Sequence, residues 1–187
     1  MRGYLMPGGL RLHLRYPAER IRAEVERLAR EISCDFAGET LLVVTVLKGA
    51  FFFAADLVRQ LTIPVELDFV RLASYAGTAS TGQVRLVKDL EIPVAGRHVL
   101  VVEDILDTGL TLACLLESIR NRAPRSLRVC TLIDKRERRR VDCPVDYAGI
   151  ICAGGFLVGY GLDLDERFRE LPDISEVGSQ TPEGRTA

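Results

Sequence analysis

A chain of 187 residues, 48% of them hydrophobic, is long enough to fold as one domain around a sizeable core. Its 25 basic and 26 acidic side chains leave a formal charge of −1, so nothing in the charge balance calls for nucleic acid or a membrane surface as partner. No apolar run reaches membrane-spanning length, and the opening MRGYLMPGGLRLHLRYP lacks the apolar core of a leader peptide. The five cysteines (Cys34, Cys114, Cys130, Cys143 and Cys152) include no CxxC pair, so they form neither a zinc site nor a disulfide framework, which fits a reducing cytoplasm.

Residues 17–36 carry Ile21, Val25, Leu28, Ala29 and Ile32 at helical spacing with charges between them, predicting an amphipathic helix. Leu41–Leu47 is a continuous apolar run and reads as a buried strand, followed by a Lys48-Gly49 turn and a helix over 50–60 with three phenylalanines. Residues 65–72 alternate like a strand, 73–83 (ASYAGTASTGQ) are small and polar like a loop, and 84–86 resume extended structure. Strands are predicted over 99–102 and 127–133, flanking a helix over Leu110–Arg120, with another strand over Tyr147–Ile151. Residues 175–187 are polar and are expected to fray. His13 and His98 stand alone and read as structural. Strands alternating with helices predict an α/β fold, a mainly parallel twisted sheet flanked by helices, with residues 1–187 forming one domain. Ligands bind such sheets at the carboxyl ends of the strands. Lys48, Glu103, Asp104 and Lys135 each follow an apolar run at that edge.

The segment 99–112, VLVVEDILDTGLTL, is the most informative part of the chain. An apolar run is broken by Glu103 and Asp104; Asp107, Thr108, Gly109 and Thr111 follow, and a helix starts near the glycine, capped by Asp107 or Thr108. Open N–H groups at a helix N-terminus bind phosphate, and the threonine hydroxyls add donors. Carboxylates beside a phosphate repel it unless they accept hydrogen bonds from sugar hydroxyls or hold Mg²⁺. A sugar phosphate with a metal satisfies every group present, whereas Asp-Thr-Gly alone is equally a capped helix with a solvated acidic turn.

Glu103, Asp104, Ile105, Leu106, Asp107, Thr108, Gly109, Leu110 and Thr111 together resemble the phosphoribosyl-diphosphate (PRPP) signature of type I phosphoribosyltransferases, and more closely that of their hypoxanthine-guanine branch. Leu47-Lys48-Gly49, Ser74-Tyr75, Asp134-Lys135-Arg136 and residues 156–163 (FLVGYGLD) resemble further elements of the family in the same order. Arg169 fits the position of its diphosphate-contacting arginine, so the likeness spans residues 45–170 approximately.

The resemblance implies the type I phosphoribosyltransferase fold, with a small hood and a flexible active-site lid over 73–83. It implies that residues 103–111 hold the ribose and 5′-phosphate of PRPP, with Asp107 accepting a proton from N7 of the base. Lys48, Gly49, Ser74, Tyr75 and Arg169 would meet the diphosphate, and the Leu47-Lys48 peptide would be cis. Lys135, Phe156, Leu157 and Asp163 would line the purine side; Glu103 and Asp104 would ligate Mg²⁺, and Asp163 a second Mg²⁺ through the diphosphate side. A lysine only donates, so Lys135 at the 6-oxo group would reject adenine, by roughly 10⁴-fold or more. Phe156 would stack on the base rather than enter the core. Beyond Lys135, the run KRERRR reads as a solvated face, with Arg138, Arg139 and Arg140 pairing with Glu137. The implied reaction converts hypoxanthine or guanine and PRPP to the nucleoside monophosphate and diphosphate, in a homodimer or homotetramer. A PRPP- or nucleotide-sensing regulator of the same fold and a xanthine-preferring transferase are the alternatives; the complete set Lys48, Asp107, Asp163 and Arg169 argues for chemistry.

Overall fold

The computed structural model describes residues 3–5, 10–74 and 84–178. Its main sheet has six strands: β3 (Leu41–Leu47), β4 (Val65–Ser74), β5 (Val84–Lys88), β6 (His98–Leu106), β7 (Ser126–Asp134) and β8 (Tyr147–Ile151), in the order β5-β4-β3-β6-β7-β8. Every neighbouring pair is parallel except β4 and β5, which form an antiparallel pair.

The apolar runs of β3 and β6 are continuous because both faces of these strands are covered. Val43, Leu100 and Val102 pack with α1 (Ala18–Asp35) and α2 (Phe51–Val58) on one face. Val44, Val46, Val99 and Val101 pack with α3 (Leu110–Arg120) on the other. The helical spacing of Ile21, Val25, Leu28, Ala29 and Ile32 is the buried stripe of α1.

β6 does not end at Val102. It continues through both carboxylates to Leu106, because Glu103, Ile105 and Leu106 keep pairing with Thr131, Ile133 and Asp134 of β7. The acids are therefore held by a sheet rather than by a loose turn.

A second, antiparallel sheet sits apart in the order β1-β2-β10-β9, formed by β1 (Gly3–Leu5), β2 (Arg11–Tyr16), β9 (Leu157–Val158) and β10 (Ile174–Val177). Leu12, Val158 and Phe168 form its small core. The Ala18 N–H donates to Asp173 Oδ1 at 2.7 Å, tying the start of α1 to this sheet. The expectation that the chain frays from 175 onward fails for its first residues. β10 lies between β2 and β9, and Ser175 is buried. Residues 75–83, nearly all of the expected lid, and 179–187 fall outside the described residues.

Candidate active site

Three strand ends of the main sheet converge. Leu47 of β3 leads into Lys48 through a cis peptide bond, as the resemblance implied. Leu106 of β6 leads into Asp107, and Asp134 of β7 into Lys135, whose N–H donates to the Leu106 carbonyl at 3.0 Å. The parallel pairing of β3 with β6 and of β6 with β7 gathers these turns on one edge.

Gly49 lies against the Asp104 side chain: a Cβ built on it would stand 2.6 Å from Asp104 Cγ and overlap the carboxylate. Gly161, with φ +101°, backs onto the same loop, and a Cβ there would run into the Gly49 carbonyl. The absence of side chains at both positions lets the turn at Gly161, the β3–α2 turn and the Asp104 carboxyl stack directly.

Beyond β6, Asp107 and Thr108 form the turn, and Gly109, with φ +82°, is the cap of α3. Neither Asp107 nor Thr108 caps the helix; no side chain does. Gly109 leaves the first-turn N–H groups of α3 open to an anion. The half-buried Thr108 and Thr111 flank that turn, Leu110 is exposed, and Ile105 and Leu106 serve the sheet, Leu106 being buried.

Lys135 is 4% exposed. Its Nζ donates to the Gly155 carbonyl at 2.8 Å and lies 3.9 Å from Asp107 Oδ2. The arginine run after it is the solvated face the sequence suggested at Arg138 and Arg140, which are exposed, but not at Arg139. Arg139 is drawn inward by the buried Asp134, 2.5 Å away, and donates to the Cys143 carbonyl at 2.9 Å. Arg138 reaches Asp107 instead of Glu137, with Nε 2.9 Å from Oδ1. Arg140 keeps an exposed side chain, while its N–H donates to the Thr108 carbonyl at 3.0 Å. Segment 138–143 thus braces the Asp107–Gly109 turn.

The chain between β8 and β10 supplies most of the remaining residues. Phe156 is 53% exposed, which excludes it from the core and leaves its ring face open. Leu157 is buried in β9. Asp163 pairs with Arg169 at 2.9 Å through Oδ1 and accepts the Glu166 N–H at 2.9 Å through Oδ2. Arg169 is a turn residue that also donates to the Gly161 carbonyl at 2.6 Å. Glu166, which no local motif singles out, accepts from Lys48 Nζ at 3.0 Å and from Arg169 at 3.1 Å. Ser74 closes β4, whereas Tyr75 lies outside the described residues.

Burial raises the Glu103 carboxyl well above the ordinary range, and the adjacent Asp104 charge pushes the same way. Burial also raises Asp104, against hydrogen bonds from Glu103 and nearby backbone and the charge of Arg169. Two desolvated acids with a surplus of negative charge suit a divalent cation or a row of sugar hydroxyls. Among the described residues no three ligating side chains cluster tightly enough to cage a metal. Asp163 stands with Arg169 rather than with the acid pair. Mg²⁺ fits this donor set in its usual manner, on one or two carboxylates with water and substrate oxygens completing the shell. A cavity of about 560 Å³ between α1, α2 and Tyr160 contains none of these residues. The converging turns lie outside it.

Comparison with known proteins identifies the family and the fold. The phosphoribosyl transferase domain family matches residues 16–165. The chain is 43% identical over 185 residues to the hypoxanthine-guanine phosphoribosyltransferase of Mycobacterium avium, covering 95% of this chain and 89% of that protein. It is 41% identical over 160 residues to the hypoxanthine-guanine-xanthine phosphoribosyltransferase of Tritrichomonas foetus, covering 85% and 87%. The crystal structure of a hypoxanthine-guanine phosphoribosyltransferase from Bacillus anthracis superposes with a TM-score of 0.84 at 42% identity, covering 89% of this chain and 98% of that one.

Proposed function

Because the chain belongs to the phosphoribosyl transferase family, we propose that it is a purine-salvage enzyme that moves the 5-phosphoribosyl group of PRPP to N9 of hypoxanthine or guanine. The products are IMP or GMP and diphosphate. The observation that carries this reading is the meeting of buried Lys135, Asp107 and the uncapped start of α3 beside the Glu103–Asp104 pair.

The N9–C1′ bond forms as the bond from C1′ to the diphosphate oxygen breaks, through an oxocarbenium-like transition state. The first-turn N–H groups of α3, with Thr108 and Thr111, hold the 5′-phosphate; Glu103 and Asp104 take the ribose hydroxyls. Asp107 accepts the N7 proton, with Arg138 and Lys135 fixing its carboxylate. Lys48 and Arg169 meet the negative charge that builds on the departing diphosphate. Glu103 and Asp104 would hold one Mg²⁺ and Asp163, on the diphosphate side, a second, and these ions would supply further neutralisation of that charge.

Lys135 donates to the 6-oxo group of the base, and the open face of Phe156 stacks on the ring, a contact worth about 1–3 kcal/mol. The backbone of Leu157 meets the edge of the base. Gly49, Ser74 and Tyr75 complete the diphosphate side, the last two from the lid. Xanthine differs at C2, away from Lys135, and the Tritrichomonas relative carries xanthine in its name, so a xanthine activity is the second reading.

Residues 1–187 act as one phosphoribosyltransferase domain. Phe51 and Phe52, at the start of α2 beside the Lys48 turn, are 50% and 37% exposed, a surface suited to a second copy in a homodimer or homotetramer. No described helix is long and apolar enough to cross a membrane, and the free cysteines suit a cytoplasmic location. Side-by-side kinetics with hypoxanthine, guanine, xanthine and adenine test the proposal: turnover of the first two with rejection of adenine is expected, and equal use of adenine would contradict the role of Lys135.

A further inference from the structure

The diphosphate side of the cleft contains more charge than the reaction requires. Lys48 and Arg169 come from distant parts of the chain, and one carboxylate oxygen, Oε2 of Glu166, accepts from both at 3.0 and 3.1 Å. The Glu166 side chain is 62% exposed, so it is not placed there by burial. It is placed by its backbone. Asp165 and Glu166 both have positive φ, 51° and 63°, a conformation uncommon for residues with side chains. The Glu166 N–H is pinned to Asp163 Oδ2 at 2.9 Å.

An anion that bridges the two cations awaiting the diphosphate occupies the electrostatic role of the ligand. We infer that Glu166 is a built-in stand-in for diphosphate: it keeps Lys48 and Arg169 facing the cleft while the site is free, and the incoming diphosphate must displace it. This rests on the reading of Lys48 and Arg169 as diphosphate contacts. Glu166 is thus a positioning residue with two effects. It gives the free enzyme an anion for Lys48 and, beside Asp163, a second one for Arg169, and it returns to both when the product leaves, opposing retention of diphosphate.

The sign of the effect separates this role from ordinary support. An exposed ion pair shifts an equilibrium by a factor of about 1.4 to 5, so releasing the two held by Glu166 shifts it by about 2 to 25. Glu166→Gln keeps the side-chain shape and the backbone bond to Asp163 while removing the charge. It should bind magnesium diphosphate and PRPP tighter by a factor in that range, with product inhibition by diphosphate setting in at correspondingly lower concentration. Glu166→Asp, charged but shorter, should lie between the two.

The experiment is calorimetric titration of magnesium diphosphate into wild type and both variants, with thermal unfolding showing that each is folded. Tighter binding by Glu166→Gln supports the inference. Unchanged or weaker binding overturns it, since weaker binding would mean that Glu166 helps to build the site. If the wild type itself fails to bind magnesium diphosphate, the assignment of Lys48 and Arg169 falls first and the inference with it.

Discussion

Replacing Gly49 with alanine tests the packing of the cleft with one methyl group. The new Cβ would stand 2.6 Å from Asp104 Cγ, inside any real contact. Asp104 is 7% exposed and short, and its neighbours Glu103 and Ile105 are paired with β7, so its carboxyl has little room to withdraw. Overpacking of this kind costs about 1–3 kcal/mol. Strain that falls on the groups holding the ribose lowers kcat/KM for PRPP by about 5- to 150-fold, by the relation between rate ratio and free energy. The assay is steady-state kinetics with each substrate varied in turn, beside thermal unfolding. The loss should appear against PRPP, and the KM for hypoxanthine should change little. Gly154→Ala is the control, because a Cβ there meets nothing within 4 Å; it should behave as wild type. A Gly49→Ala enzyme with unchanged efficiency toward PRPP would refute the placement of Asp104 at the sugar.

Three further outcomes follow from the same geometry. Asp107→Asn should lower turnover by about 10²- to 10⁴-fold while PRPP binding changes far less, since a neutral amide cannot take the N7 proton; equal losses in both would remove Asp107 as the base. Lys135→Ala should relax discrimination against 6-aminopurines, read as the ratio of kcat/KM for hypoxanthine and adenine, and an unchanged ratio would remove Lys135 from that role. The buried Asp68 accepts N–H bonds from Phe69, Glu91 and Ile92 at 2.7, 2.7 and 2.8 Å, fastening the chain after β5 to β4. Burial pushes its carboxyl up, but the N–H donors and Lys88 more than offset this and hold it below the usual aspartate range. A folded value lower than the unfolded one stabilises the protein above that pH, and the stabilisation fades as pH falls through the folded value. Asp68→Asn should therefore cost about 2–3 kcal/mol at neutral pH in denaturant unfolding, with the gap from wild type narrowing in acid.

The features legible in the sequence are those whose signals are local. The stripe of α1, the apolar runs of β3 and β6 and the acid-threonine-glycine turn each lie within a few residues of the chain, and each appears in the fold. What escaped depends on distant partners. β2 and β10 are short, mixed strands that pair with each other from opposite ends of the sequence, so neither carries a decisive pattern alone. The length of β6 was underestimated because its last residues hold their places through β7, not through their own hydrophobicity. Arg139 looked solvated in a basic run, and only the buried Asp134 beside it explains why it turns inward. Glu166 gave no signal at all: its partner Lys48 lies 118 residues away. The residues closest to the proposed chemistry were readable because a strand followed by a turn is a local unit. The charges that restrain them were not, because long-range contacts set them.

The central claim is that the β6–α3 turn and its acid pair hold an activated ribose phosphate with its metal. Titrating PRPP into the wild-type protein by calorimetry, with and without magnesium, tests it most directly. Saturable binding that strengthens with magnesium and is largely lost when Asp104 is replaced by asparagine is the expected result. No measurable binding with magnesium present, or binding indifferent to that replacement, would contradict it.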